Sequence, residues 1–297
     1  MSASEERTPE EWTTLLEFHP EYKALFVEGT SDVALWKHLF SLAGIDSISV
    51  FPVAVVRIKD SVVSDLGFHV GERGRNIAFG HLLATQSTDL DGQVVCFADR
   101  DFLDIVPDPA VNTRYTLLTT FASIELHAFS SPVVTKLAAV AFGQTIDGSQ
   151  FIDSAEEHLR ELFILRGTAL RLNWGLKWVS CRKFLKKGKA GGFTFRRNAF
   201  LKTFLNGGGK QEESETFEKE ATVVRNKLSG LDPKQCIRGH DFLELFNWFF
   251  KEEAAAIGMR TPKGSEALGK FLVASVDNEV WKTSDDFRLI CKALGIG

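Results

Sequence analysis

The chain has 297 residues, 44% of them apolar and 25% charged, with a formal net charge of −4 at pH 7. That balance excludes a disordered or low-complexity chain, and the length suits two domains of roughly 100–200 residues each. The longest apolar runs, such as Leu137–Phe142, fall far short of the roughly 20 residues that cross a bilayer, and Met1–Trp12 carries four glutamates in place of a basic and apolar leader, so a cytoplasmic protein with no membrane partner is expected.

In chain order, residues 1–18 read as an acidic N-terminal segment. Ala24–Val27 is a short apolar strand ended by Glu28-Gly29. Thr30 or Ser31 then caps a helix with Val33, Leu35, Trp36, Leu39 and Phe40 as its apolar positions and Gly44 as its stop. Ile48–Val56 is apolar and β-branched, interrupted only by Pro52. Asp60–Arg75, with Gly67, Gly71 and Gly74, is expected to be loop-rich. A helix around Ile77–Ala84 leads to a buried strand, Val94–Ala98, and Tyr115–Leu118 is a further strand. Strands alternating with helices indicate an α/β fold with a mostly parallel sheet flanked by helices. After about Asp153 the periods are helical: Glu156–Leu165, Asn198–Leu205, Glu213–Leu228, Phe242–Ala256 and Asp286–Leu294. The expected organisation is an α/β domain over 19–150 and a mainly α-helical C-terminal domain over 151–297.

The modest net charge conceals a strong asymmetry. From Leu162 to Gln211 there is no Asp or Glu, while Arg182, Lys183, Lys186, Lys187, Lys189, Arg196 and Arg197 stand close together within the stretch. Trp174, Trp178, Phe184, Phe193 and Phe195 are interleaved with them. Basic and aromatic side chains together suit nucleic acid, whose phosphates attract the cations and whose bases can stack. The plainer alternative is a solvated basic face with the aromatics in the core.

Two acidic groups sit where a parallel sheet places its ligands, at the carboxyl ends of strands. Glu28 follows the first strand, with Asp32 one turn into the next helix, and Asp99-Arg100-Asp101 follows the strand Val94–Ala98. If those strands are neighbours, Glu28, Asp99 and Asp101 converge, and carboxylates that close repel one another unless a cation lies between them. Hard oxygen donors suit Mg²⁺ or Mn²⁺, which can activate water and stabilise charge on a phosphodiester. Taken singly, Asp99 and Asp101 also fit a turn, and Asp32 a helix start. Glu125 is either a second ligand or a helix-start acid. His127 and His240 could assist catalysis, and Arg57 and Lys59 could approach phosphate, although each also suits a structural or solvated role. Four scattered cysteines and seven dispersed histidines provide no zinc spacing. No Gly-x-x-x-x-Gly-Lys-Ser/Thr loop is present, so ATP hydrolysis is expected only from a partner. Tyr22 and Tyr115, the only tyrosines, both stand beside expected strands, which disfavours a topoisomerase nucleophile.

Glu28-Gly29-x-x-Asp32 after one strand and Asp99-x-Asp101 after another resemble the Toprim domain of topoisomerases, primases and OLD-family nucleases, over roughly Lys23–Phe129. Ser123-Ile124-Glu125 and Gly239-His240-Asp241-Phe242-Leu243 narrow the resemblance to the Toprim-like nuclease effectors of PARIS-type bacterial anti-phage systems. The resemblance implies a Mg²⁺-dependent nuclease in which Glu28 acts as base or ligand and Asp99 and Asp101 hold the ion. It further implies a tRNA target, an AriA-like ABC-type ATPase partner and an active homodimer. A surface for self-association is expected from Phe242, Leu245, Phe246, Phe249 and Phe250, which recur at helical spacing, unless that face is buried in its own domain. The alternative to the enzyme is a catalytically silent docking or nucleic-acid-binding subunit of an ATPase complex.

Overall fold

The computed structural model describes residues 6–86, 89–107, 111, 113–188, 192–251 and 262–296. The chain forms two compact units, one of residues 1–99, 108–120 and 277–297 and another of 100–107 and 121–276.

The first unit is built on a four-stranded, all-parallel sheet ordered β2-β1-β3-β4. Its strands are β1 (Lys23–Val27), β2 (Ile48–Pro52), β3 (Val94–Ala98) and β4 (Thr116–Leu118). β1 and β3 are buried almost throughout, which is why both read as continuous apolar runs without polar alternation. β2 stops at Pro52 and turns into a short 3₁₀ segment, Val53–Val55, so the apolar run continues to Val56 while the strand does not.

Helix α1 (Pro9–Phe18) occupies what reads as an acidic segment. Thr8 and Glu11 cap it reciprocally, the Glu11 N–H donating to Thr8 Oγ1 and the Thr8 N–H to Glu11 Oε2. Its buried Trp12 meets the Phe26 ring edge-on, with centroids 4.9 Å apart. Glu10 and Glu11 therefore serve the positive end of a helix dipole, and residues 9–18 are part of the α/β unit. Between the strands lie α2 (Thr30–Leu42), α3 (Asp60–Asp65) and α4 (Glu72–Thr85). The loop-rich reading of Asp60–Arg75 is thus corrected: α3 and the first turn of α4 fill most of it. Gly67 (φ 88°) and Gly71 (φ 156°) mark the break between those helices.

Phe26 and Cys96 are register partners and face α4 (Phe26 against Phe79, 4.9 Å), while Phe97 points to the other face and meets Trp36 of α2 edge-on. The chain's last helices, Asn278–Lys282 and Asp285–Ala293, return to this second face, where Phe287 stacks on Trp36. Completely buried Asp286 accepts hydrogen bonds from the Thr120 N–H (2.7 Å) and hydroxyl (2.6 Å) just beyond β4, and Lys23 of β1 donates to the Gly92 and Leu294 carbonyls. The C-terminal residues thus belong to the sheet unit, whereas the sequence assigns them to the helical domain.

The second unit is mainly helical. It holds α5 (Ser131–Phe142), α6 (Gly148–Arg171), α7 (Arg197–Gly207), α8 (Ser214–Lys227), α9 (Gly239–Phe249) and α10 (Pro262–Ala274), with an antiparallel hairpin of β5 (Leu185–Lys187) and β6 (Phe193–Phe195). The boundary expected at residue 150 falls inside this unit. Its core is an aromatic cluster in which Phe151 touches Phe193, Phe246, Phe249 and Phe250. Phe242, Leu245, Phe246, Phe249 and Phe250 are all buried there, so the apolar face expected for self-association packs inside its own unit. The part of the helix expected beyond Lys251, to Ala256, lies outside the described residues.

Candidate active site at the switch point of the sheet

In the order β2-β1-β3-β4, the chain leaving β1 crosses to one side and the chain leaving β3 to the other. The carboxyl ends of β1 and β3 therefore flank the crevice in which open parallel sheets bind ligands. Glu28 stands at the end of β1 and Asp99 at the end of β3. The expectation that these strands are neighbours is met: Ala24 pairs with Val94 and Phe26 with Cys96. The Asp99 N–H donates to Glu28 Oε1 at 2.8 Å, so the carboxylate of one strand end is oriented by the backbone of the other.

Asp32 lies in the first turn of α2, where its Oδ2 accepts from the Gly29 N–H at 3.0 Å. One of its oxygens is thereby engaged in capping the helix that follows Glu28, which orients this edge. A Cβ placed on Gly29 would lie 3.7 Å from Asp32 Oδ2 and 4.0 Å from Glu72 Oε2, so Glu72, in the first turn of α4, adds a carboxylate beside the Gly29 turn. The neighbouring Arg73 donates from Nε to the Asp99 carbonyl at 2.7 Å. Sequence reasoning missed Glu72 and Arg73 because they stand in a segment read as loop, and only the packing of α4 brings them to this edge.

The remaining acidic candidates belong to the second unit. Asp101 has φ 47°, in the left-handed region that Asp tolerates better than most residues, and its N–H donates to the Ala122 carbonyl at 2.8 Å. Glu125 lies in the 3₁₀ turn Ile124–Ala128, with its Oε2 buried and without a hydrogen-bond partner among the described residues. A Cβ on Gly239, the first residue of α9, would overlap both Ser123 Oγ and this carboxylate, so glycine permits that approach. Buried His127 meets the Phe121 ring edge-on (4.9 Å), His240 is exposed, and Arg57 donates to the Glu6 carbonyl. Lys59 is exposed and precedes α3.

Among the described residues, no three His, Cys, Asp or Glu side chains gather into a closed metal cage. The donor chemistry of Glu28 and Asp99 fits a different kind of site. Mg²⁺ keeps several waters and is commonly held by only one or two carboxylates together with substrate phosphate.

The basic stretch separates into two populations. Arg197 is committed to protein carboxylates, bidentate to Glu218 (2.6 and 2.8 Å) and bonded to Glu161 (2.5 Å). The hydrogen bonds to Glu218 push its pKa above the ordinary arginine value, and the same contact holds Glu218 below the usual carboxylate range. Arg182 pairs with Glu244 at 3.2 Å, and Arg196 donates to the Lys183 carbonyl at 2.7 Å. Lys183, Lys186 and Lys187 are exposed on and beside the hairpin, with Lys187 Nζ 5.0 Å from the Phe249 ring centroid. Lys189 lies outside the described residues.

The aromatics of this stretch pack on other rings, and Trp174, Trp178 and Phe195 are only half-buried. Phe184 and Phe193 are buried, Trp178 packs on Phe200 and Phe204, and Trp174 packs on Phe217. The hairpin thus carries outward lysines over a ring cluster in which Phe184 and Phe193 are buried and the other three rings are half-buried. Arg166 forms a bidentate pair with buried Asp241 (3.0 and 2.7 Å) and lies 3.5 Å above the Trp178 ring.

No protein-family model matches the chain, and no curated protein matches it.

Proposed function

We propose that the protein is a Mg²⁺- or Mn²⁺-dependent endonuclease whose first unit is a Toprim-like catalytic domain. The observation that carries this reading is the meeting of Glu28 and Asp99 at the carboxyl ends of adjacent parallel strands, on either side of the topological switch point. A divalent ion held there would supply an activated water and neutralise charge on the scissile phosphodiester. Glu28, oriented by the Asp99 amide, would serve as ligand or as the base that receives the proton of the attacking water. Asp99 would hold the ion, and Asp32, by capping α2, would keep the Glu28 turn in place. The resemblance adds Asp101 as a further ligand.

Lys183, Lys186 and Lys187 would hold nucleic acid through its phosphates. With Phe184 and Phe193 buried and Trp174, Trp178 and Phe195 half-buried against other rings, phosphate contact rather than base stacking is the main contribution of this surface, which favours a structured or duplex backbone. The resemblance to effectors of PARIS-type systems favours tRNA as the target, abortive infection during phage defence as the setting and an AriA-like ABC-type ATPase as the controlling partner. Dimerisation of the released protein also belongs to this reading, through a surface other than the buried Phe242–Phe250 face.

The second reading, a catalytically silent docking subunit, is favoured by one observation, the lack of a closed carboxylate cage among the described residues. Incubating purified protein with tRNA, other RNA and duplex DNA, in Mg²⁺, Mn²⁺ or chelator, separates the two. Cleavage that needs the ion and falls at least about a hundredfold in Glu28→Gln, within the range that loss of a general base or ligand produces, supports the nuclease. Ion-independent cleavage, or equal rates in a folded Glu28→Gln protein, refutes it.

A further inference from the structure

The carboxyl ends of β1 and β3 are joined by more than their ladder. Asn76, in the second turn of α4, reaches into the sheet, where its side-chain amide donates to the Phe26 carbonyl at 3.2 Å and to the Phe97 carbonyl at 2.7 Å. One carboxamide thus ties the two strands together just beyond the last register pair, Phe26 with Cys96. Each tied carbonyl lies two residues before an acidic candidate, Phe26 before Glu28 and Phe97 before Asp99. The bond from the Asp99 N–H to Glu28 Oε1 closes the same strand ends from beyond.

Two further observations show that the amide is held there for its donors. Asn76 is 0% exposed, and its Oδ1 has no hydrogen-bond partner among the described residues, a cost that a residue chosen only for packing would avoid. The helix is also pressed onto the sheet: a Cβ on Gly80, one turn further along, would overlap Thr116 Oγ1 of β4. Glycine at that position lets α4 come close enough for Asn76 to reach the strand carbonyls.

We propose that Asn76 is a positioning residue, which sets the separation of Glu28 and Asp99 by tying the Phe26 and Phe97 carbonyls and thereby sets the affinity of this edge for a divalent cation. The statement about the cation rests on the nuclease reading above; the statement about the strand ends does not.

The experiment compares Asn76→Ala and Asn76→Ser with Phe79→Leu, a packing change on the same helix against the same strand. Amide hydrogen exchange is followed at Asp99 and across the full-length protein, and Mn²⁺ affinity is measured by calorimetry. In both Asn76 variants the Asp99 amide should exchange faster than in Phe79→Leu at matched overall stability. Mn²⁺ affinity should fall roughly 10–100-fold in Asn76→Ala, the usual effect of losing a residue that orients a metal ligand, and by less in Asn76→Ser, which keeps one donor. Should Asn76→Ala fail to fold, the serine variant carries the comparison. Equal Asp99 exchange and equal Mn²⁺ affinity in the Asn76 and Phe79 variants would overturn the proposal. If Glu28→Gln leaves wild-type Mn²⁺ affinity unchanged, the cation reading is wrong, and Asp99 exchange alone then decides the role of Asn76.

Discussion

If the second unit holds a polyanion, only the lysines not committed to protein carboxylates should contribute to its salt dependence. Lys183, Lys186 and Lys187 are exposed, whereas the Arg197 guanidinium is held by Glu161 and Glu218. On duplex nucleic acid each neutralised phosphate contributes about 0.9 to the slope of log affinity against log salt, so replacing the three lysines by glutamine should flatten the slope by about 2.7. Between 50 and 200 mM salt the wild type should lose roughly 40-fold more affinity than the triple variant. Arg197→Gln should leave the slope nearly unchanged and act instead on stability, because its charge already faces two carboxylates. Fluorescence anisotropy with a labelled duplex across a salt series measures both. A slope unchanged by the lysine substitutions, or lowered as much by Arg197→Gln as by a lysine change, would refute this division of the basic stretch.

Asp241→Ala should destabilise the second unit by about 3–5 kcal/mol, because it strands the buried Arg166 charge, whose own pKa burial already lowers despite the pairing. The double variant Arg166→Met/Asp241→Ala should recover much of that loss in urea unfolding, and no recovery would show that the pair is not the cause. Glu218 has a depressed folded-state pKa, chiefly through its hydrogen bonds to Arg197, so its contribution is present above the unfolded carboxylate value and fades as pH falls through the lower folded one. Wild type should therefore lose more stability than Glu218→Gln between about pH 5 and pH 3, modestly because the pair is largely solvent-screened; parallel pH profiles would contradict the assignment.

Much of the local structure follows from the order of residues alone. The strands around Leu25, Val95 and Leu117 and the helices around Leu39, Leu162, Leu201, Val224 and Ile290 stand where the apolar period places them, since such signals act over a few neighbours, although the helix around Leu39 is capped at Gly29 and not at Thr30 or Ser31. The acidic residues after β1 and β3 were legible for the same reason. What the tertiary structure decided is everything that depends on distant partners. It put β1 beside β3, so that Glu28 meets the Asp99 amide, and brought Glu72, Arg73 and Asn76 to that edge from a helix whose start read as loop. It turned an acidic N-terminal stretch into a capped helix over Trp12 and returned residues 277–297 to the sheet. It also buried Phe242 and its neighbours, paired Arg182 and Arg197 with carboxylates and left Lys183, Lys186 and Lys187 outward. Composition counts charges and rings, but only long-range packing determines which of them meet a partner and which meet water.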